Sequence, residues 1–225
     1  MKRVVIPELL DTDAGTPREV AGSLADLDMF NRRFGGVNTM ASMLQAVAAQ
    51  RKLRSASWLD VAGARGDMAA RTVAVLAGQG LEVKPVLLDL AASHLSRHMA
   101  AVCGDALQLP FRDNSFDVVG CCLFLHHLEP EQIADFVNEA LRVARHAVLI
   151  NDLIRHPLHL LIARAGMPIY RSRITRHDAP ASVRRAYTVS EMHEMLRPTQ
   201  AQQIEIKEYF LFRMGVIAWK KKNTI

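Results

Sequence analysis

No apolar run in this chain of 225 residues approaches the roughly 18–20 needed to cross a bilayer. The opening Met1-Lys2-Arg3-Val4-Val5-Ile6-Pro7 is broken by Pro7 and Glu8 too early for a secretory leader. Cysteine is scarce: Cys103, Cys121 and Cys122 form an odd set without metal-ligand spacing, all in apolar strand-like segments. They are expected to be reduced core residues of a cytoplasmic protein. The histidines lack H-x-x-x-H or mixed Cys/His spacing, so no metal is expected. Excess charge of one sign is also small: 28 basic against 23 acidic side chains gives +5, which permits anionic partners without demanding them. The dinucleotide fingerprint G-x-G-x-x-G is missing, since Arg65 stands two residues after Gly63. Repeats and low-complexity segments are absent as well.

What is present centres on Trp58-Leu59-Asp60-Val61-Ala62-Gly63-Ala64-Arg65-Gly66-Asp67-Met68-Ala69. An apolar run ends in an acid, passes through small residues and opens into the helix-forming stretch 68–77. That is a strand, a tight turn and a helix N-terminus, which lets backbone approach a ligand closely. Further apolar runs follow at 81–88 (ending in Asp89), 101–103 (followed by Gly104-Asp105), 116–122 and 147–150 (closed by Asn151-Asp152), with a helix at 130–143. Strands alternating with helices argue for a doubly wound, mostly parallel α/β sheet with helices on both faces. In such sheets ligands bind beyond the carboxyl ends of the strands, where strand order reverses. Asp60, Asp89, Asp105 and Asp152 all fall on that rim, suiting a ligand rich in hydroxyls and amines.

Before this core, residues 1–17 read as an irregular arm. Helices are expected at 18–33, with Thr16-Pro17 as the start signal and Gly35-Gly36 as the stop, and at 39–52. Residues 1–54 thus form a helical cover, over a ligand or merely packed on the sheet, and residues 55–225 the main domain. The segment 153–187 breaks the alternation. It carries Arg155, Arg164, Arg171, Arg173, Arg176, Arg184 and Arg185 against the single acid Asp178, beside apolar Leu158, Leu160, Leu161 and Ile162. Emerging on the ligand rim, it reads as a lid or as a solvated basic excursion. A short helix at 190–196, entered at Ser190-Glu191, and two strands at 204–210 and 213–219 complete the chain. Lys220-Lys221-Lys222 reads as a solvated tail.

Leu59-Asp60-Val61-Ala62-Gly63, Asp89, Gly104-Asp105-Ala106 and Leu109-Pro110-Phe111-Arg112-Asp113-Asn114-Ser115-Phe116-Asp117, followed by Leu125-His126-His127-Leu128, together resemble a class I S-adenosylmethionine-dependent methyltransferase. The likeness is to the small-molecule branch that includes quinone-biosynthesis enzymes, and it covers about residues 55–152. Segments 148–153 and 176–187 resemble bacterial members encoded near polyketide synthases. The resemblance implies a seven-stranded Rossmann-like sheet whose last two strands form an antiparallel hairpin, with S-adenosylmethionine as cofactor and S-adenosylhomocysteine as product. It implies that Asp60, Ala62, Gly63 and Gly66 lie beneath the methionine portion, that Asp89 takes the ribose hydroxyls, and that Asp105 and Ala106 flank the adenine. Arg33, Leu90, Gly104, Cys122, Leu123 and His127 complete the implied cofactor set. The family loop usually reads acid-x-Gly-x-Gly-x-Gly, whereas Ala62, Ala64 and Gly66 stand here. Alanine at the middle position disfavours positive φ. Arg65 either pairs with the methionine carboxylate or points into solvent.

Methyl transfer to an alcohol needs a base, and a phenol needs one less urgently. The candidates are His126, Asp152 and His177. His126 and Asp152 follow adjacent strands on one rim; the alternatives are structural roles, helix capping by Asp152, and a salt bridge from His177 to Asp178. The leading expectation is methylation, preferably at oxygen, of a small hydroxylated aromatic or polyketide molecule, a phenolic polyketide or a quinol. Nucleic acid is not expected as a partner: aromatics are only 6% of residues, which leaves little for base stacking. The alternatives are a nucleic-acid methyltransferase, using the arginines of 153–187 against phosphates, and a cofactor-binding protein with little catalysis.

Overall fold

The computed structural model describes residues 1–96 and 98–221. Helices α1 (Pro17–Arg33) and α2 (Gly36–Arg51) precede the sheet. Thr16 and Glu19 exchange side-chain and backbone hydrogen bonds at the start of α1, satisfying two N–H groups the first turn leaves free. The glycine pair expected as a stop is a corner: Gly35 takes φ +83° and α2 begins at once. A side chain at Gly36 would meet Asn31 Oδ1 at 2.4 Å, so the close approach of the two helices requires glycine there.

Strands β1 (Ser55–Val61), β2 (Glu82–Asp89), β3 (Ala101–Cys103), β4 (Phe116–Cys122), β5 (Ala144–Leu153), β6 (Gln203–Tyr209) and β7 (Arg213–Trp219) form one sheet in the order β3-β2-β1-β4-β5-β7-β6. β1 to β5 are mutually parallel; β7 runs antiparallel to both β5 and β6. This is the doubly wound α/β sheet with a terminal hairpin. Helix α3 (Asp67–Ala77) follows β1, and α4 (Pro130–Val143) follows β4. One face of the sheet packs Met40, Leu44, Met68 and Leu76 from α2 and α3 around Trp58; the other packs Ile133, Phe136, Met192 and Leu196 from α4 and α7 (Val189–Leu196) against Leu59 and Val119. The strands are therefore buried on both sides, as their unbroken apolar character requires. Strand order reverses between β1 and β4, which places the binding crevice at their carboxyl ends.

Several local expectations change. β5 extends to Leu153, so Asp152 is a strand residue paired with Met214 and not a helix cap. Thr188, not Ser190, caps α7. Residues 153–187 fold into α5 (Pro157–Ala165) and α6 (Arg173–Arg185), and α6 packs on both α5 and α1. Arginines of this segment engage acids: Arg155 pairs with Glu191, Arg173 with Glu19 and Arg185 with Asp11. Cys103 is exposed and only Cys121 is fully buried, because the three-residue β3 is an edge strand. Lys220 is anchored, its ammonium donating to Asn114 Oδ1 and Ala144 O at 2.8 Å; Lys221 is exposed, and Lys222 lies outside the described residues. Among the described residues no helix is long and apolar enough to cross a membrane.

Candidate active site

At the carboxyl end of β1 the loop 62–66 alternates its backbone sense: Ala62, Ala64 and Gly66 have φ of 56°, 44° and 76°. The left-handed conformation expected to be denied by alanine is thus adopted at two alanines, at a cost of about 1–2 kcal/mol each. Strain of this kind persists only where the surroundings over-determine it. Here Ala64 N–H is fixed by donating to Asp89 Oδ2 at 2.9 Å, and Gly66 N–H by donating to Gly63 O at 2.8 Å. A side chain at Gly66 would lie 2.6 Å from Met99 Sδ, and one at Gly63 would lie 3.0 Å from Leu87 and from the Asp60 carbonyl.

Asp60 is 2% exposed, and its Oδ1 has no hydrogen-bond partner. Burial, aided by the charge of Asp89, pushes its carboxyl up to about 8. Asp89 is less deprived, its Oδ1 accepting from Ala91 N–H at 2.9 Å. Gly104 N–H donates to the Asp89 carbonyl at 3.0 Å and so ties the end of β3 to the end of β2. Beyond it Asp105 is exposed and accepts from Leu107 N–H, with Ala106 half-buried beside it. Leu90 is 75% exposed, an apolar surface presented directly after Asp89. Arg65 is partly exposed and forms a two-donor pair with Asp67, at 3.0 and 2.7 Å. It also lines a cavity of about 400 Å³ between α1 and the segment after β2. The arm closes that cavity at Asp13, which accepts from Ser93 Oγ at 3.1 Å and meets His94 Nε2 at 2.6 Å.

Four elements converge at the carboxyl ends of β4 and β5. Leu123, with φ 56°, turns the chain out of β4 while its N–H donates to Asn151 O, and a single 3₁₀ turn, Leu125–His127, carries both histidines. Asp152 Oδ2 accepts the backbone N–H of His126 at 3.0 Å, and Oδ1 accepts Nδ1–H of the same residue at 2.7 Å. Both side chains are almost fully buried. This double grip sets the tautomer and leaves Nε2 facing away from the strand. There it meets Glu8 of the N-terminal arm, whose Oε1 lies 3.5 Å from His126 Nε2 and 3.9 Å from His127 Nε2. Burial opposes a charge on His126, but Asp152 and Glu8 outweigh it and hold the imidazolium up to about 10. Burial works against ionisation of Asp152 too, and His126 overcomes it, keeping that carboxyl below its ordinary range.

The arm is held by α6. Asp178 accepts the N–H groups of Leu9 and Leu10 at 2.9 and 3.0 Å, and His177 Nδ1 lies 2.8 Å from the same carboxylate. His177 is exposed and does not touch His126 or Asp152. Beside the pair, Arg213 is 2% exposed and donates to Asn31 Oδ1 at 2.8 Å and Asn151 Oδ1 at 3.2 Å, with Cys122 Sγ at 3.6 Å. Burial pushes the Cys122 thiol up to about 12, so it stays neutral. Arg33 stands apart, exposed in a second cavity with Asn38, Tyr209 and Phe210. Glu8, Asn31 and Arg213 were not singled out in the sequence; each is brought in by a long-range contact with no linear signature.

Residues 59–150 match a family model described as a methyltransferase domain. No curated protein sequence matches the chain. Among solved structures, the plantazolicin methyltransferase BpumL in complex with a triazolic desmethylPZN analog and SAH superposes with a TM-score of 0.68 at 13% identity, covering 95% of each chain. A SAM-dependent methyltransferase from Aquifex aeolicus gives 0.52 at 16% identity, over 74% of this chain and 82% of that one. The CMeT domain of the citrinin polyketide synthase gives 0.53 at 10% identity, over 74% and 46%.

Proposed function

We propose that this chain, whose residues 59–150 match a methyltransferase-domain model, is a class I S-adenosylmethionine-dependent enzyme that methylates a hydroxyl group of a small, largely apolar molecule, a phenolic polyketide or a quinol. The observation that carries this reading is the buried His126–Asp152 pair, set beside the Asp60–Asp89 rim on the carboxyl edge of the sheet.

The rim fits the cofactor. Asp60 offers an unpartnered buried oxygen to a cationic methionine head, Gly63 and Gly66 let loop 62–66 pack closely on Asp60, Leu87 and Met99, and exposed Leu90 offers an apolar face to a purine. Asp60, Gly63 and Gly66 would hold the methionine portion, Asp89 the ribose, and Leu90 with Asp105 and Ala106 the adenine. Bound there, S-adenosylmethionine supplies a methyl group already activated on a sulfonium, so the chain's work is alignment and management of one proton. Alignment of this kind supplies several kcal/mol. Asp152 fixes the His126 ring and presents Nε2. An acceptor hydroxyl that takes the place of Glu8 at that nitrogen removes one of the two carboxylates that hold the imidazolium; it is oriented by the ring and passes its proton to it once the ring is in the neutral form. His177, through Asp178, positions the arm that carries Glu8.

An apolar acceptor is supported by Leu158, Leu161 and Ile169, which are exposed on and after α5. The engagement of Arg155, Arg173 and Arg185 by acids removes much of the positive surface a nucleic acid would need. The plantazolicin and citrinin enzymes act in natural-product chemistry, which fits this substrate class. S-adenosylhomocysteine is expected to raise the melting temperature while NADH does not, and labelled S-adenosylmethionine should transfer its methyl to members of a phenol and quinol panel. Label appearing in RNA and in no small molecule would reverse the substrate assignment.

A further inference from the structure

Glu8, His126 and His127 each bring one ligand atom to within 4.8 Å of the others, with Glu8 Oε1 standing between the two Nε2 atoms at 3.5 and 3.9 Å. We propose that these three side chains bind a divalent first-row transition ion of the zinc or iron(II) type.

Distance is the first support. A hydrogen bond between Glu8 and His126 would bring its atoms to about 2.7–2.9 Å, whereas they stand 3.5 Å apart. Ligands about 2.0–2.2 Å from a tetrahedral ion are separated by about 3.3–3.6 Å. The 3.5 Å spacing from Glu8 Oε1 to His126 Nε2 matches such an edge, and the 3.9 Å spacing to His127 Nε2 is a few tenths of an ångström longer. A second and independent sign is that Glu8 is 8% exposed and its Oε1 has no hydrogen-bond partner. An oxygen left so in the interior is costly unless something unseen completes it.

The outer partners agree. Nδ1 of His126 is held by Asp152 at 2.7 Å, and Nδ1 of His127 lies 3.2 Å from Asp11 Oδ2. A carboxylate on the far nitrogen is what fixes a histidine with its other nitrogen free for a metal. Charge agrees as well. The ionised groups touching the two rings are the carboxylates of Glu8, Asp11 and Asp152 and the guanidinium of Arg185, which also donates to the His127 carbonyl at 2.6 Å. Three negative charges against one positive leave two, which a divalent ion would balance on displacing the proton His126 otherwise carries. Two histidines and one carboxylate leave coordination positions open, as catalytic sites of this donor set do.

The ion would pin the N-terminal arm, through Glu8, across the ends of β4 and β5. Its catalytic consequence rests on the acceptor-side reading above: a hydroxyl in the open position would have its proton affinity lowered by the ion, in place of base catalysis by His126. The binding itself does not depend on that reading.

Purified full chain, stripped with chelator, is titrated with Zn²⁺, Fe²⁺ (anaerobically) and Mg²⁺ by calorimetry. Melting curves are taken with each ion and, separately, with S-adenosylhomocysteine. One equivalent of Zn²⁺ or Fe²⁺ is expected to bind and raise the melting temperature, with Mg²⁺ inert because its oxygen preference excludes two imidazoles. Glu8→Gln and His127→Ala should each weaken binding by about tenfold or more. His193→Ala, on the exposed face of α7, should leave it unchanged. Zn²⁺ affinity equal in wild type and Glu8→Gln, or lost in His193→Ala, would overturn the assignment. Because the S-adenosylhomocysteine shift reads only the cofactor rim, a failed metal titration with that shift intact refutes the ion and leaves the methyltransferase reading standing.

Discussion

The two ends of the site handle their buried carboxylates in opposite ways. At the cofactor rim Asp89 is met by backbone N–H groups, and Asp60 is left with an oxygen no donor reaches, so burial keeps it protonated near neutrality. At the acceptor end Asp152 is held on both oxygens by one histidine, and it stays ionised in equal darkness. The difference is a matter of what arrives later. A rim that receives a cationic cofactor can carry an unanswered acid. An end that receives a neutral hydroxyl holds Asp152 and His126 as a paired charge, with Glu8 Oε1 alone left unanswered beside them. Breaking the balanced end should therefore cost most, and relieving the unbalanced one should help the empty protein while harming its function.

The largest effect is expected from Asp152. Replacing it with Ala strands a buried imidazole, which costs about 3–5 kcal/mol of stability when one partner of a buried pair is removed. Asp152→Asn keeps the shape and should lower turnover by about 10²- to 10⁴-fold, the range general acid–base groups supply. The melting shift with S-adenosylhomocysteine should survive in Asp152→Asn, because the cofactor rim is separate. If cofactor binding disappears together with turnover, the two ends are not independent.

Asp60→Asn should invert that pattern. Its folded pKa, about 8, stands above the ordinary aspartate value of 3.8. Between those values the native state holds a proton that the unfolded chain releases, so this group's stabilisation falls as pH rises from about 4 to about 8. The variant lacks this slope and should melt at a higher temperature than wild type at pH 8, with little difference at pH 4. Its affinity for S-adenosylmethionine should drop by about tenfold or more. Wild-type affinity should itself strengthen with pH up to about 8, because the cationic cofactor favours the ionised carboxyl. A cofactor affinity flat from pH 6 to 8.5 would remove Asp60 from the site.

Loop 62–66 offers a smaller test. Ala64→Gly relieves a left-handed alanine worth about 1–2 kcal/mol and adds unfolded-chain freedom worth about 0.4–1 kcal/mol. The net is a gain of about 0–1.6 kcal/mol, visible as a small rise in the denaturation midpoint. Destabilisation would mean that Ala64 does not hold its φ of 44° in solution.

The same division explains what was legible in the sequence. The cofactor rim is built from consecutive strand–turn–helix units, so Asp60, Gly63, Asp89 and Gly104 announce themselves by following apolar runs, and the sheet between β1 and β5 can be written down from that alternation. The acceptor end is assembled by loop closure over long separations. His126 and Asp152 were visible as strand-end residues, but Glu8 sits in an arm without periodicity and is placed by Asp178 on α6. Arg213 resembles any strand residue until Asn31 and Asn151 surround it. Linear spacing between histidines likewise says nothing of a carboxylate that arrives from the N-terminus. The length of β5 was underestimated because Asn151 and Asp152 look like a strand end, whereas pairing with β7 carries the strand through them.

The smallest effect should come from Arg33, and it bears on the same division. The resemblance implied a cofactor role for it, yet its neighbours are Asn38, Tyr209 and Phe210 in a second cavity, while Asn31, two residues earlier, turns inward to Arg213 and Cys122. Two residues on a helix are about 200° apart, which separates an inward from an outward side chain, and the two positions cannot share a target. Arg33→Ala is accordingly expected to change S-adenosylmethionine affinity by less than about twofold, since an exposed charge acting at a distance is largely screened at ordinary salt. Asn31→Ala should do more, because it leaves a buried guanidinium short of an acceptor. An order of effects with Arg33 above Asn31 would mean that the C-terminal turn of α1 rotates when the cofactor binds.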